Sequence, residues 1–243
     1  MPASPPCAES LCEWGIAGLE ALREAAAVFV IVDVLSFCTA VDAALGRGGS
    51  VIPFASGDPG TARRAAEAAG ALLAGRRGEG GFSLSPPSLL GLPAGARLLL
   101  PSPNGARLSA TAAALGRPVL AGCLRNAAAV ARAAQALAGM GAIALIPAGE
   151  HWPDGRHRPA IEDWLGAGAI LHHLGEARPA TAEAALAREA FRAARDRLPA
   201  LLRGCRSGQE LTGRGFPQDV EMALALDASP HAPLLHGGAF SAA

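Results

Sequence analysis

One carboxylate closes the first strongly apolar stretch of the chain. Residues 28–34 read VFVIVDV, and this apolar run predicts a strand covered on both faces, with Asp33 at its end. Ser36 and Thr39 follow at the start of a predicted helix over residues 36–47. A carboxylate in this place can cap the helix, or it can bind a cation and take part in acid–base chemistry.

Polar side chains also follow the other predicted strands. Continuous apolar runs predict strands over residues 50–55, 97–101, 118–122 and 142–148. Ligands of parallel α/β sheets bind beyond the carboxyl ends of the strands. If these strands are parallel, the polar groups converge on one edge and predict a binding site there. The groups are Asp33, Ser102, Asn104, Arg125, Asn126 and Glu150.

A purely structural role is the alternative for several of these residues. Asp33, Asn104 and Asn126 each precede a predicted helix, and capping is the commoner role of Asp or Asn there. Arg125 does not fit this explanation, because the positive end of a helix dipole disfavours a cation. An anion bound at the same helix terminus would resolve the conflict, so Arg125 is a candidate phosphate ligand.

Three further acids surround the loop HWPDGRHRPA. Glu150 precedes this loop, and Glu162 and Asp163 begin the next predicted helix. Acids in a first helical turn are stabilising even without a ligand. Together with Asp33, however, they are candidate oxygen ligands for Mg²⁺, which bridges one or two carboxylates to a phosphate ester.

The histidines of this loop offer a different metal site. His151 and His157 could bind zinc together with Glu162, although their spacing matches no common zinc motif. His172 and His173 fall inside a predicted helix, where a structural role is the simpler explanation. A zinc-dependent hydrolase is therefore an alternative to the magnesium enzyme.

Composition excludes several classes of protein. The 243 residues carry 21 basic and 21 acidic side chains, so no electrostatic footprint for nucleic acid or an anionic membrane is present. The absence of lysine excludes a Walker A lysine and a Schiff-base lysine. No apolar run approaches the roughly 20 residues of a membrane-spanning helix. With no signal-peptide pattern and no C-x-x-C pair among the five cysteines, the sequence predicts a cytoplasmic protein with reduced thiols.

The order of the predicted elements indicates an α/β protein. The apolar runs alternate with Ala-rich helical stretches over residues 36–47, 58–74, 105–115, 126–139 and 160–175. This alternation predicts a single domain over residues 1–243, with helices on both sides of a mostly parallel sheet.

The rest of the chain is assigned more coarsely. Residues 12–22 predict an edge strand and a turn, and residues 178–206 predict helices broken at Pro199. A short helical region over 207–225 and a last strand in the tail complete the prediction. Residues 75–95 are rich in Gly, Pro and Ser, and a loop of that length is usually functional or mobile.

The ordered motifs of the chain resemble those of 2-phosphosulfolactate phosphatases. They run in the family order from about Glu13 to about Phe240. The segments are VIVDVLSFCTAVDAALGRGGSVIPF, FSLSP, LPSPNGARLS, AGCLRNAAAVA, IPAGEHWPDGRHRPAIEDWLGAGAIL and GFPQDVEMALALDAS. The resemblance implies a three-layer α/β/α fold with a mixed sheet. It also implies Mg²⁺-dependent hydrolysis of a small anionic phosphate ester, 2-phospho-3-sulfolactate, to sulfolactate and phosphate.

The resemblance assigns site residues by their position in the family motifs. Asp33 and Thr39 match the motif I-D-V-x-R-A-[ST]-[ST], Asn104 and Gly105 match T-N-G, Asn126 matches L-N, and Glu162 and Asp163 match L-E-D. The chain departs from the family pattern in three places. Ser36 stands where the family carries Arg, Gly75-Arg76-Arg77 replaces G-E-R, and Phe82–Pro86 shortens F-D-L-G-N-S-P.

These assignments lead to a mechanistic hypothesis. Mg²⁺ is held by Asp33 and by one or more of Glu150, Glu162 and Asp163. The phosphate is bound by Arg125 and by the segments around Ser36, Thr39, Asn104, Gly105 and Asn126. Asp33, Glu162 or Asp163 then activates water or attacks phosphorus, and the residues alone do not decide which.

A non-catalytic anion-binding protein on the same fold is the second alternative. The replacement of the family arginine by Ser36 favours it, whereas the clustered carboxylates disfavour it because they are costly without a cation. The Ala-rich sequence is also compatible with a homodimer.

Overall fold

Eleven strands and ten α-helices make up the part of the chain that the computed structural model describes, residues 9–55 and 58–242. The strands are β1 (Ser10–Cys12), β2 (Ala26–Val32), β3 (Ser50–Phe54), β4 (Leu72–Leu73), β5 (Arg97–Pro101), β6 (Val119–Gly122), β7 (Ala142–Pro147), β8 (Glu150–His151), β9 (His157–Arg158), β10 (Pro233–His236) and β11 (Ala239–Ala242). The helices are α1 (Gly15–Leu22), α2 (Phe37–Leu45), α3 (Pro59–Ala68), α4 (Gly105–Ala114), α5 (Ala127–Ala138), α6 (Ile161–Leu174), α7 (Ala182–Ala194), α8 (Leu198–Gly204), α9 (Arg206–Gly213) and α10 (Pro217–Ala223).

A mixed sheet of nine strands forms the centre of the described structure, in the order β1-β7-β2-β6-β10-β11-β3-β5-β4. The strands β1, β7, β2 and β6 are parallel, and so are β3, β5 and β4. The C-terminal hairpin β10–β11 separates these two parallel blocks and pairs antiparallel with both. The predicted α/β class with a mixed sheet is therefore confirmed.

The hairpin changes how the site is assembled. The three antiparallel steps from β6 to β3 reverse the strand direction, so β5 runs opposite to β2, β6 and β7. Convergence through parallel strand ends therefore applies to β2, β6 and β7 and not to β5. The residues after β5 still reach Asp33, because α4 follows β5 and packs against β2.

Two groups of helices flank the sheet. Helices α5 and α6 pack against β2, β6 and β7, and α7 packs against α6. Helix α2 packs against β3, β6 and α4, and all nine of its residues are buried. Gly122 on β6 allows a close approach of α6, because a Cβ there would lie 2.6 Å from Cδ1 of Ile170.

The five predicted strands of the core are confirmed as β2, β3, β5, β6 and β7, whereas several boundaries differ. The helix predicted over 58–74 ends at Ala68, because Gly70 takes a positive φ of 57° and the chain continues into β4. The turn predicted within 12–22 is helix α1. Pro199 is the second residue of α8 and lies in its first turn. Backbone N–H groups in a first turn have no partner within the helix, so a proline, which lacks an N–H, is tolerated there.

Two further predictions concern the ends and the thiols. The tail contains two strands instead of one, and they form the hairpin β10–β11. Cys12, Cys38, Cys123 and Cys205 are free and buried, while Cys7 lies outside the described residues. Within residues 9–55 and 58–242, no helix combines the length and the apolar character needed to cross a bilayer.

Candidate active site

Asp33 lies in the short loop that joins β2 to α2, and it is 5% exposed. Its Oδ1 accepts a hydrogen bond from the N–H of Phe37 at 3.1 Å, and Oδ2 accepts one from the N–H of Gly105 at 2.9 Å. The carboxylate thus connects the N-termini of α2 and α4. Gly105 permits this contact, because a Cβ there would lie 2.3 Å from Cδ1 of Phe37 and 2.8 Å from Oδ2 of Asp33.

A second buried carboxylate holds the loop of Asp33 from behind. Oδ1 of Asp163 accepts the N–H of Val34 at 2.7 Å, and Oδ2 accepts the N–H of Gly149 at 2.9 Å. Asp163 therefore ties the start of α6 to the ends of β2 and β7. Both of its oxygens accept backbone N–H groups, as those of Asp33 do, but Asp163 does not line the cavity that contains Asp33, so it acts as a supporting group.

The acids of this region raise one another's pKa. Burial raises the pKa of Asp33 to about 6, against the opposing effect of its backbone hydrogen bonds and with a further contribution from Glu162. Burial and the charges of Asp33 and Glu162 raise the pKa of Asp163 well above its ordinary value. Since negative charge is disfavoured here, a cation or a proton stabilises the cluster.

Glu150 and Asn104 form a hydrogen-bonded pair in the same site as Asp33. The Asn104 Nδ2 donates a hydrogen bond to Oε2 of Glu150 at 2.8 Å. Burial, followed by the charge of Asp33, raises the pKa of Glu150 to about 7. The amide Oδ1 of Asn104 is buried and accepts no hydrogen bond, so it is an oxygen available to a ligand.

Arg77 supplies a largely buried positive charge to the site. Its Nε donates to Oδ2 of Asp219 at 2.9 Å, and its Nη2 donates to Oγ of Ser36 at 2.9 Å and to the carbonyl of Leu84 at 3.1 Å. Asp219 is almost fully buried and also accepts a hydrogen bond from the hydroxyl of Ser85. The guanidinium is thereby held in one orientation, with no hydrogen bond from Nη1 among the described contacts.

These groups surround a cavity of about 260 Å³, which we call the Asp33 cavity. Its walls are Asp33, Leu35, Ser36, Arg77, Leu84, Ser102, Pro103, Asn104, Glu150, Ser207, Glu210, Leu211 and Arg214. The structure thus brings together the predicted residues Asp33, Ser36, Asn104 and Glu150. Glu162 and Asp163 lie next to this cluster but do not line the cavity.

Three of the predicted phosphate ligands make contacts elsewhere. Arg125 donates from Nε to Oδ2 of the buried Asp42 at 2.8 Å, and it does not line the Asp33 cavity. Asn126 caps its own turn by accepting the N–H of Cys123 at 2.8 Å. Thr39 donates its hydroxyl to the carbonyl of Val34 at 2.7 Å and is fully buried.

The proposed metal sites differ in how well the side chains fit. Within the described ranges, no three His, Cys, Asp or Glu side chains form a group that could hold a metal by themselves. His151 and His157 are adjacent, with ring centroids 6.2 Å apart, but the zinc site predicted with Glu162 is not assembled. Mg²⁺ needs fewer protein ligands, because it keeps waters and binds substrate phosphate. The carboxylate of Asp33 and the unpaired Oδ1 of Asn104 fit that requirement.

Arg77 and Asp219 are the functional candidates that the sequence analysis missed. Arg77 lies in the long Gly-rich loop, where it belongs to the altered Gly75-Arg76-Arg77 motif. Asp219 lies in the segment GFPQDVEM, 142 residues further along the chain. Both residues occur in segments that resemble the family, and this position in the family motifs could have identified them from the sequence. Their pairing depends on the tertiary fold.

Comparison with known proteins supports the same chemistry. The model of a protein family described as 2-phosphosulpholactate phosphatase matches residues 17–238. The chain is also 31% identical over 222 residues to a protein of Methanothermobacter thermautotrophicus named 2-phosphosulfolactate phosphatase. That alignment covers 88% of this chain and 89% of the relative.

Proposed function

The chain belongs to the 2-phosphosulfolactate phosphatase family and is a phosphatase of phosphate monoesters, and from this premise we propose that the Asp33 cavity hydrolyses 2-phospho-3-sulfolactate with Mg²⁺ as its cofactor. The observation that carries the proposal is that groups of opposite charge line one small cavity. Asp33 is oriented by two backbone N–H groups, and Arg77 is oriented by Asp219 and Ser36.

The cation would be held by the carboxylate of Asp33 and by Oδ1 of Asn104. Asp33 makes no ion pair within the described contacts, and burial, with a smaller contribution from the charge of Glu162, raises its pKa. A bound cation would oppose that shift. When bound, Mg²⁺ would neutralise charge on the phosphate oxygens and act as a Lewis acid. Asp163 would support this arrangement indirectly, since it fixes the backbone at Val34.

The side chains of the cavity divide the remaining work. Arg77 presents the free side of its guanidinium to the phosphate oxygens, and this preorganised charge stabilises the transition state. Glu150 has a pKa of about 7, so it can accept a proton and return it near neutral pH. Asp33 would help to hold the cation, and either its carboxylate or a water molecule would attack phosphorus.

Phosphate release from 2-phospho-3-sulfolactate tests the proposal. We expect turnover that a chelator abolishes and added Mg²⁺ restores. Glu150→Gln should lower kcat by about 100-fold with little change in KM, because it removes the proton carrier and not a phosphate ligand. Glu183→Gln, an exposed acid on α7, is the matched control and should behave like the wild type.

Three results would contradict parts of this assignment. A wild-type protein that releases no phosphate from the ester would refute the substrate. Full activity in the presence of the chelator would refute the role of Mg²⁺. A Glu150→Gln variant with unchanged kcat would refute the role of Glu150.

A further inference from the structure

A second cavity adjoins the Asp33 cavity and is larger, at about 440 Å³. We call it the basic cavity; its walls are Trp14, Gly15, Ile16, Ala17, Pro103, Asn104, Arg107, Leu108, Ala148, His151, Gly155 and His157. Pro103 and Asn104 line both cavities, so they form a shared wall. Strand β8 also serves both, because Glu150 faces the Asp33 cavity and His151 faces the basic cavity.

The charge of the basic cavity has a single sign. Its walls contain Arg107, His151 and His157, and they contain no Asp or Glu. Arg107 is exposed and forms no ion pair with any residue in the described part of the chain. In a protein whose acidic and basic residues balance, this is a local excess of positive charge next to the active site.

The two histidines are held in place by the β8–β9 hairpin. His151 and His157 are cross-strand partners, and their rings are nearly perpendicular. The Nε2 of His157 lies 3.0 Å from the carbonyl of Ala148, so this nitrogen is the donor. Burial and the positive charges of His157 and Arg107 lower the pKa of His151, and a bound anion would reverse the electrostatic part of that effect.

Part of the lining of the basic cavity is apolar. The Trp14 ring packs on Trp164 at 5.4 Å between ring centroids, and it approaches His157 at 5.9 Å. Ile16 and Leu108 extend this apolar part. A ligand in the basic cavity would therefore meet both hydrocarbon and positively charged side chains.

We propose that the basic cavity binds a second anionic group, a carboxylate or sulfonate, on the organic part of the substrate whose phosphate lies in the Asp33 cavity. The inference rests on the proposed function, since the two cavities are joined only through a substrate that spans Asn104. The substrate class is then the phosphate monoesters of acidic alcohols. Arg107 determines the specificity for the acidic group and has no part in the cleavage of the phosphate ester.

Two series of phosphate esters test this inference. The first consists of phosphorylated ω-hydroxy acids with three to six carbons, and the second of alkyl phosphates of the same lengths. The wild type should prefer the acid at one or more chain lengths. Arg107→Ala should lower kcat/KM for the preferred acid by about tenfold and leave the alkyl phosphates within about twofold, because one charge-assisted contact is lost.

The controls separate this inference from the proposed function. Arg132→Ala removes an exposed arginine of α5 and should change neither series. If the wild type hydrolyses no member of either series and does not hydrolyse 2-phospho-3-sulfolactate, the proposed function itself is overturned. If the wild type is active and Arg107→Ala lowers both series equally or neither, the subsite is refuted.

Discussion

Two buried aspartates at opposite ends of one segment, Asp33 and Asp42, show how the protein treats charge in two different ways. Asp42 lies on helix α2 and is 1% exposed, and its Oδ2 accepts the Nε of Arg125 at 2.8 Å. Arg125 also donates to the carbonyl of Met222. Asp33 precedes the same helix and is equally inaccessible, but its contacts are backbone N–H groups and neighbouring acids.

The two aspartates differ in whether their charge is paired within the protein. The charge of Asp42 is balanced inside the protein, even though its Oδ1 accepts no hydrogen bond. The carboxylate of Asp33 is oriented by backbone N–H groups but makes no ion pair among the described contacts, since the guanidinium of Arg77 is bound to Asp219. A buried carboxylate in that condition gains most from a cation supplied with the substrate.

Exchange of each aspartate for asparagine should give opposite outcomes, and this is the largest effect we expect. Asp33→Asn should lower kcat/KM by at least about 1,000-fold, because it removes the charge that would hold the cation in the proposed function. Asp42→Asn should leave kcat/KM within a few-fold of the wild type but lower the free energy of unfolding by about 3–5 kcal/mol, since Arg125 stays buried without its partner. Phosphate release and urea unfolding measure the two effects.

A double variant tests whether the stability lost in Asp42→Asn comes from the unpaired charge of Arg125. Replacement of both Asp42 and Arg125 by apolar residues should recover much of the stability lost in Asp42→Asn, because no unpaired charge remains. If Asp42→Asn abolished turnover while the protein stayed folded, Arg125 would belong to the active site after all. If Asp33→Asn kept its activity, the central role of Asp33 would be lost.

Arg77 lies between these two cases, because one side of its guanidinium is satisfied internally and the other faces the cavity. Arg77→Lys should lower kcat/KM by about 10- to 100-fold, because an ammonium cannot contact Asp219, Ser36 and a phosphate at once. Asp219→Asn should give a smaller loss, expressed mainly in KM, because Arg77 remains but is less well positioned.

Steady-state kinetics with a matched control separates positioning from general damage. Arg214 also lines the Asp33 cavity, has no ion pair among the described contacts and is exposed. Arg214→Lys should therefore cost much less than Arg77→Lys. Equal losses in the two variants would show that the orientation of Arg77 is unimportant.

The fold was predictable where local patterns decide it. The apolar runs of β2 and β7 are buried on both faces, and such strands are recognisable from composition alone. The insertion of β10–β11 between two parallel blocks was not predictable, because those strands pair with β6 and β3, which are distant in the sequence. The direction of β5 was missed for the same reason.

The sequence predicted the acidic residues of the candidate site better than its arginines. Asp33, Asn104 and Glu150 follow strands, and such positions point to the edge of a sheet. Arg125 also follows a strand, but its side chain turns to Asp42, and position along the chain does not encode that choice. Arg77 comes from a long loop and donates to Ser36, at the position where the family pattern carries arginine, so the cation arrives from a different segment.

The smallest expected effect concerns pH and follows from the raised pKa of Glu150. Folding raises this pKa from 4.5 to about 7, so the folded protein binds the proton more tightly than the unfolded chain. The stability that the protonated group contributes is complete below about pH 4.5 and is lost as the pH rises to about 7. Because Glu150 is partly solvated, we expect a loss of about 1–2 kcal/mol, or a few degrees in Tm.

The difference in Tm between Glu150→Gln and the wild type isolates this group from the other acids. Without metal, the variant should gain stability relative to the wild type as the pH rises from about 4.5 to 7, because glutamine carries no charge to be buried. Saturating Mg²⁺ should shrink that gain, since a nearby cation lowers the pKa of Glu150. A difference that stays constant over this range, with and without Mg²⁺, would mean that Glu150 titrates as in the unfolded chain. In that case Asp33 would be the only one of the two carboxylates, Asp33 and Glu150, whose buried charge lacks an ion-pair partner. The contrast with Asp42 would then rest on Asp33 alone.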